Sequence, residues 1–244
     1  MKFNLMNKLG GVALLTVTMT LGARANIVYD NTSTDTGYNL SVTNGQMVGD
    51  QIILNSSTPV TLTSFSFEFY SPNATFTGSV MGEVWLYAND GAGTLLSGGY
   101  ATPSTVLLDS TPFSLSTAQQ YTSASPGGPF DVATLNFDLL PNGYPTGLVV
   151  PTNFTMVVSF TGLTGSDSVG VELFNPVTVG QNYPDYWYLN NGEPSSNWSL
   201  LTNSVTPVNF GAQFVGTVPE PSMVSFALAG MAGLVGMGLG RRRR

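Results

Sequence analysis

The chain lacks most of the side chains on which enzyme chemistry depends. It has no cysteine and no histidine, and none of its seven basic residues lies between Asn26 and Val218. Without cysteine and histidine the common ligand sets for zinc, copper and iron cannot form. A Ser-His-Asp triad and its Ser-Lys and Cys-His variants are excluded as well. No disulfide can support the fold, which must rest on its hydrophobic core.

Positive charge is missing from the whole middle of the chain. Residues 26–217 hold thirteen carboxylates and no lysine or arginine. No cation is therefore available there to clamp a phosphate group, and a nucleic acid would meet only negative charge. Three kinds of chemistry stay open: catalysis by paired carboxylates, binding of a hard cation, and binding of sugars to aromatic rings.

The first 25 residues have the pattern of a secretory signal peptide. Lys2 and Lys8 give a positive start, residues 9–22 are uncharged and mostly apolar, and Ala23 and Ala25 stand at the −3 and −1 positions of an A-x-A cleavage site. A permanent membrane anchor is the alternative, but the apolar run is short for a span. We predict recognition by the export machinery and cleavage by signal peptidase after Ala25.

The last 27 residues, 218–244, form three successive parts. The first part contains the tripeptide Pro219-Glu220-Pro221, and the second is a run of nineteen uncharged residues, 222–240. The third part is a basic cluster that consists of Arg241, Arg242, Arg243 and Arg244. Nineteen helical residues span roughly 28 Å, about the hydrocarbon thickness of a bilayer. Arginines beyond them resist translocation, and the prolines keep the tripeptide out of the helix. This order predicts an exposed tripeptide beside a membrane helix.

These three parts together resemble the PEP-CTERM sorting signal of bacterial surface proteins. The resemblance implies that the tail anchors the chain transiently in the inner membrane. It also implies that exosortase, a membrane enzyme similar to cysteine proteases, processes the tail near the tripeptide. The implied final location is the cell surface, the outer envelope or the extracellular matrix. An ordinary single-span tail anchor is the alternative.

Between the two terminal segments, residues 26–217 have the periodicity of one secreted all-β domain. Apolar and polar residues alternate over several stretches, as at 154–160 and 208–214, which is typical of strands. The alternation changes phase near Thr63 and Ser64, which predicts a β-bulge or a corner between two sheets. Ten or so strands predict a β-sandwich, of jelly-roll type. The candidate strands are 51–55, 60–69, 80–88, 105–109, 132–139, 154–160, 169–173, 185–189 and 208–214.

Three short features carry a second resemblance. They are the opening Ile27–Asn31, the step Gly49-Asp50-Gln51 into a core strand, and a late tryptophan ahead of the final strand. In these features the domain is similar to the secreted β domains, often called choice-of-anchor domains, that commonly carry this sorting tail. The resemblance implies no enzymatic activity.

Two sets of acidic residues are candidates for chemistry. Glu68, Glu83 and Glu172 lie on predicted strands, and a pair of such carboxyls would suit glycoside hydrolysis. The preferred interpretation is that they face solvent. Asp30, Asp35 and Asp90 lie in oxygen-rich stretches that would suit structural calcium. Neither stretch matches an EF-hand loop, but a bound divalent ion would relieve the self-repulsion of this acidic domain.

Aromatic residues concentrate over Tyr183–Trp198, beside several asparagines. Flat rings next to amides suit carbohydrate, because a ring face covers C–H groups while amides bond hydroxyls. The residues that such a site would use are Trp187, Trp198 and Tyr186. Core packing is the preferred interpretation of this strand. The sequence as a whole therefore predicts a non-enzymatic, exported surface or matrix protein. An exopolysaccharide-binding module is the alternative, followed by a carboxylate-based glycosidase.

Overall fold

The computed structural model describes residues 25–73, 76–91, 101–115, 121–124, 131–190, 197–202 and 207–218. Over these residues the protein is all-β, and its strands form two antiparallel sheets. Residues 1–24 of the predicted signal peptide and residues 219–244 of the predicted sorting segment lie outside the described residues. Within the described ranges, no helix is long and apolar enough to cross a membrane.

The described part of the chain forms fifteen strands. In chain order they are β1 Asn26–Asp30, β2 Asp35–Ser41, β3 Met47–Ile53, β4 Val60–Ser71, β5 Met81–Ala88, β6 Val106–Asp109, β7 Phe113–Ser114, β8 Tyr121–Ala124, β9 Asp131–Asp138, β10 Leu148–Val150, β11 Asn153–Thr161, β12 Gly170–Phe174, β13 Gln181–Leu189, β14 Ser199–Thr202 and β15 Ala212–Thr217.

The first sheet is organised around the long central strand β4. One edge of β4 pairs with β15 and then with β12, and the other edge pairs with β10 and then with β9. β1, β2 and β8 extend this sheet by pairing with β15, β12 and β9. The second sheet has the order β14-β13-β3-β11-β5-β6, and β7 also pairs with β5. The two sheets face each other as in a β-sandwich.

The core lies between the inner faces of the two sheets. Phe65, Phe67 and Phe69 of β4 are buried, and so are the alternate residues Phe154, Met156, Val158 and Phe160 of β11. Ring contacts join the sheets, with centroids 6.4 Å apart for Phe69 and Phe160 and 5.2 Å apart for Phe154 and Phe214. The alternation predicted for these strands is confirmed. Each such side chain contributes about 1.5–3 kcal/mol by leaving water, and no disulfide adds to this.

The predicted phase change in β4 is a β-bulge at Thr63. Ser64 pairs with Val215 and Leu62 pairs with Gly216, so Thr63 is the extra residue on β4. The same residue separates the part of β4 that pairs with β10 from the part that pairs with β9. β4 stays in one sheet on both sides of Thr63, so the phase change is a bulge and not a corner between sheets.

Candidate functional site

The residues predicted for sorting lie almost entirely outside the described part of the chain. Ala25 is the first described residue and is exposed. The others outside that part are Ala23, Pro219, Glu220, Pro221, Arg241, Arg242, Arg243 and Arg244. The candidate sites that can be placed are therefore those of the β domain itself.

The two predicted sugar-binding tryptophans lie in a buried cluster on the outer face of the second sheet. Trp187 is 2% exposed and Trp198 is 7% exposed. Trp198 packs edge-on against Tyr87, with ring centroids 6.1 Å apart. Tyr186 points the other way, against the main core between the sheets. This arrangement agrees with core packing of the strand and leaves little of either indole open to a ligand.

A glycine on the neighbouring strand makes room for this cluster. Gly49 of β3 stands opposite Trp187 of β13. A Cβ at Gly49 would lie 2.8 Å from Thr155 Cγ2 and 2.9 Å from Val157 Cγ2, which is closer than side chains normally approach. The glycine of the Gly49-Asp50-Gln51 step is therefore required by packing on the outer face of the second sheet.

Asp50, the next residue, is a carboxyl group buried between the sheets. Its Oδ2 accepts hydrogen bonds from Phe210 N and from Asn182 Nδ2, each 2.7 Å long. Asn182 Nδ2 also donates to Tyr29 Oη at 2.8 Å. Burial raises the pKa of Asp50 well above its usual range, although these hydrogen bonds act in the opposite direction. Asp50 Oδ1 has no hydrogen-bond partner. The network links β3 of the second sheet to residues of the first.

Two of the predicted glycosidase carboxyls, Glu68 and Glu172, lie on the outer face of the first sheet. The expectation that Glu172 faces solvent is wrong, because this residue is only 1% exposed. The pKa of Glu172 is raised to about 8, chiefly by burial and in addition by the adjacent Asp35 carboxyl. The pKa of Glu68 is likewise raised to about 7, chiefly by burial and in addition by Asp35 and Asp30. Glu172 therefore offers almost no surface to a substrate.

The cover over these carboxyls comes from neighbouring strands. Asn39 of β2 pairs alongside Glu172, so β2 covers one side of the Glu172 side chain. Phe174 lies over Gly211, where a Cβ would be 2.5 Å from the Phe174 ring and 3.3 Å from Glu68 Cβ. Alternation placed Glu172 correctly on the face opposite to its apolar neighbours. It could not show that this face is covered, because the cover comes from residues distant in sequence.

The three aspartates predicted for calcium are not gathered into one set. Asp30 and Asp35 lie near Glu68, close enough to raise its pKa. Asp90 instead follows β5 of the second sheet, where its two oxygens accept hydrogen bonds from Thr105 N at 3.0 Å and Thr105 Oγ1 at 2.6 Å. In the described parts of the chain, no three acidic side chains are grouped so that they could hold a metal ion.

A cleft of about 470 Å³ opens at the side of the sandwich, between β9 and the turn that follows β6. Its apolar wall includes the half-buried rings of Phe137 and Tyr144. Its polar lining includes the exposed side chains of Asp109, Asp138, Asn136 and Asn142. A neighbouring groove of about 450 Å³, lined by parts of β4, β9 and β15, shares Asn136, Phe137 and Asp138 with the cleft.

The turn on one side of the cleft has a strained backbone. Thr111 has a φ of 58°, which is unfavourable for a β-branched residue. Three local hydrogen bonds hold it: Thr111 N donates to Asp109 Oδ1 at 2.9 Å, Thr111 Oγ1 donates to Ser110 O at 2.6 Å, and Ser110 Oγ donates to Thr111 O at 3.1 Å. Asp109 also lies beside Glu83, the third predicted glycosidase carboxyl, whose pKa is raised by burial and then by Asp109.

The opposite side of the cleft is also held by short-range hydrogen bonds. Leu140 N donates to Asp138 Oδ1 at 3.2 Å, and Asn142 Nδ2 donates to Asp138 O at 2.6 Å. Tyr144 N closes the turn by donating to Leu139 O at 3.2 Å. The sequence predicts a turn at Pro141-Asn142-Gly143, but nothing in it indicates that this turn faces Asp109 and Thr111.

In comparisons with known proteins, no family model matches this chain and no curated protein matches it.

Proposed function

We propose that this protein is a non-enzymatic β-sandwich of jelly-roll type that is exported and delivered to the cell surface, outer envelope or extracellular matrix. In this proposal signal peptidase removes residues 1–25, and exosortase processes the PEP-CTERM-like tail at Pro219-Glu220-Pro221. The helix 222–240 and the arginines 241–244 hold the chain in the inner membrane until then.

One structural observation carries this proposal. The first and last strands of the described part of the chain, β1 and β15, pair with each other, so that Asn26 lies opposite Gly216. The two proposed processing sites therefore flank neighbouring strands of the first sheet. Cleavage after Ala25 and cleavage near Pro219 would both cut at the same end of this strand pair. Neither cut would remove a described strand. This supports the proposal that both sorting segments are cleaved from a β domain that stays intact.

The proposal is tested by changing the tail and following the chain in cells. Replacing Pro219, Glu220 and Pro221 by alanine should leave the precursor uncut and retained in the inner membrane, because the helix and arginines would still anchor it. Immunoblots of separated membrane, envelope and medium fractions measure the outcome. As a matched control, alanine at Ser222 and Met223 should leave processing unchanged. Identical location and mass of the triple-alanine and natural proteins would contradict the proposal.

A second candidate function is binding of exopolysaccharide. The observation that favours it is the cleft beside β9, in which half-buried rings stand next to exposed amide and carboxylate groups. The region first predicted for this role, with Trp187, Trp198 and Tyr186, presents little open ring surface. Retention of the purified protein on exopolysaccharide immobilised on beads measures this function directly.

A further inference from the structure

We infer that the cleft between β9 and the turn after β6 binds a chain of uncharged sugars. This inference rests on the second candidate function, carbohydrate binding, and is independent of how the protein is sorted. It names the site, the residues that form it, and the class of polysaccharide that it accepts.

The apolar wall of the cleft is rigid. Phe137 stacks on Phe65 with ring centroids 4.6 Å apart and planes inclined by 3°, and Phe113 contacts it edge-on at 5.3 Å. Phe137 therefore keeps its orientation while part of the ring stays open to the cleft. A fixed ring beside the half-buried Tyr144 suits the C–H faces of pyranose rings, because little side-chain freedom is lost on binding.

The polar lining of the cleft is oriented before any ligand arrives. Asp109 Oδ1 is fixed by Thr111 N and Asp138 Oδ1 by Leu140 N. Asn142 is fixed through its Nδ2 group by the carbonyl oxygen of Asp138. Sugar hydroxyls both donate and accept hydrogen bonds, so fixed carboxylate and amide oxygens are suitable partners. The strained Thr111 belongs to the same cleft, and strain of this kind is concentrated at functional sites.

The charge of the cleft selects against acidic polysaccharides. Asp109 and Asp138 are both exposed in its lining, and Glu83 lies beside Asp109. Residues 26–217 contain no lysine or arginine that would neutralise them. A chain of uronic acids would bring like charges together, whereas a neutral chain would not.

The size and continuity of the cleft favour a chain over a single sugar. The cleft volume of about 470 Å³ falls within the range of small-molecule sites. The adjoining groove of about 450 Å³ shares Asn136, Phe137 and Asp138 with the cleft and extends over β4 and β15, at Ser66 and Gln213. A linear polysaccharide can therefore cross β9 from the cleft into the groove and contact both surfaces.

Calorimetric titration of residues 26–244 in detergent micelles tests the inference. The probes are hexasaccharides of glucose, mannose, galactose and N-acetylglucosamine, and oligouronates of equal length. We expect the protein to bind a neutral member and no oligouronate. Tyr144→Ala should lower the affinity roughly ten-fold by removing a ring contact and a hydroxyl. The control Tyr38→Ala removes an aromatic side chain that is 56% exposed on β2, away from the cleft, and should leave the affinity unchanged.

A second variant preserves the shape of the cleft and changes only its charge. In Asp109→Asn combined with Asp138→Asn, each side chain keeps an oxygen for its backbone N–H, so the turns should stay folded. This variant should bind the neutral probe and also gain affinity for oligouronates, which keeps the inference testable if Tyr144→Ala fails to fold.

The outcomes distinguish failure of the cleft as the binding site from failure of carbohydrate binding as the function. Equal affinities of Tyr144→Ala and the natural protein, or preference of the natural protein for oligouronates, would overturn the cleft as the site. If binding is lost in Trp198→Ala with the fold intact while the cleft variants bind normally, carbohydrate binding stands and the cleft does not. If the natural protein binds no probe, both the site and the function are rejected.

Discussion

At the scale of single residues, Asp50 is the clearest departure from an apolar interior. The apolar neighbours Val48 and Ile52 on the inner face of β3 are fully buried, and Asp50 occupies the inward position between them. It replaces a possible apolar contact by hydrogen bonds to Phe210 N and Asn182. Without Asp50, Phe210 N and one of the two N–H groups of Asn182 Nδ2 would lose their acceptor, and the other would keep Tyr29 Oη. A buried group left unsatisfied costs about 1–3 kcal/mol.

Asp50→Asn should make the stability of the protein less dependent on pH. Because burial raises the pKa of Asp50, the folded protein keeps this proton at pH values where the unfolded chain, with a pKa of about 3.9, has lost it. The stabilisation is complete below about pH 4 and is lost as pH rises toward the folded pKa. Urea unfolding followed by tryptophan fluorescence at pH 5 and pH 8 measures the difference, which should be smaller in the variant.

Two further variants separate titration from hydrogen bonding. Asp50→Leu removes the acceptor and should destabilise the protein by about 2–4 kcal/mol at both pH values. Asp90→Asn is the matched control, because Asp90 is exposed and hydrogen bonds lower its pKa. It should not reduce the loss of stability between pH 5 and pH 8. An unchanged pH dependence in Asp50→Asn would show that the titration of Asp50 is not linked to folding.

At the scale of strands, β4 shows how one extra residue sets the faces of a sheet. Val60 and Leu62 precede the bulge and Phe65, Phe67 and Phe69 follow it, and all five are buried. Side chains alternate between faces along a strand, so both groups can point inward only if one residue between them is unpaired. Thr63 is that residue.

Deleting Thr63 should therefore disrupt the fold. Without the bulge, either the two aliphatic residues or the three phenylalanines must turn to the outer face. Each side chain exposed in this way costs about 1.5–3 kcal/mol, so the variant should lose at least about 3 kcal/mol and melt far below the natural protein. Thermal unfolding by circular dichroism measures this. Deletion of Gly143, in an exposed turn where a Cβ would have no neighbour within 4 Å, is the control. Similar melting temperatures of the two deletion variants would contradict this account of the bulge.

The strands differ in how well the sequence predicts them, according to how much of each lies in the core. Alternating apolar residues predicted β4, β11 and β12, because each has one face in the core. β2 was not predicted, since it is an edge strand with few apolar residues. The predicted strand 208–214 is displaced: β15 begins at Ala212, and Phe210 makes only an isolated bridge with Leu173. The cleft could not be predicted, because it joins turns about 30 residues apart in the chain.

At the scale of the whole molecule, acidic groups are buried without any compensating cation. Asp50, Glu68 and Glu172 all have raised pKa values, and burial is the largest cause for each. Residues 26–217 supply no lysine, arginine or histidine to pair with them. In most proteins acidic side chains gain partners on folding, so the protein loses stability in acid. These three carboxyls instead hold their protons more tightly in the folded state than in the unfolded chain.

The protein should therefore become more stable as pH falls from about 8 to about 5. The unfolded chain releases the protons of Glu68 and Glu172 near pH 4.5, whereas the folded protein keeps them up to about pH 7 and pH 8. Stability is thus greatest near the lower values and is lost as pH rises through the folded pKa values, by at most about 1.4 kcal/mol per pH unit for each proton. Melting temperatures across this range measure the trend. Salt at about 1 M screens repulsion between surface charges, so a trend caused by burial should persist there. Glu172→Gln should flatten it, and a melting temperature that rises toward pH 8 would contradict the role assigned to the buried carboxyls.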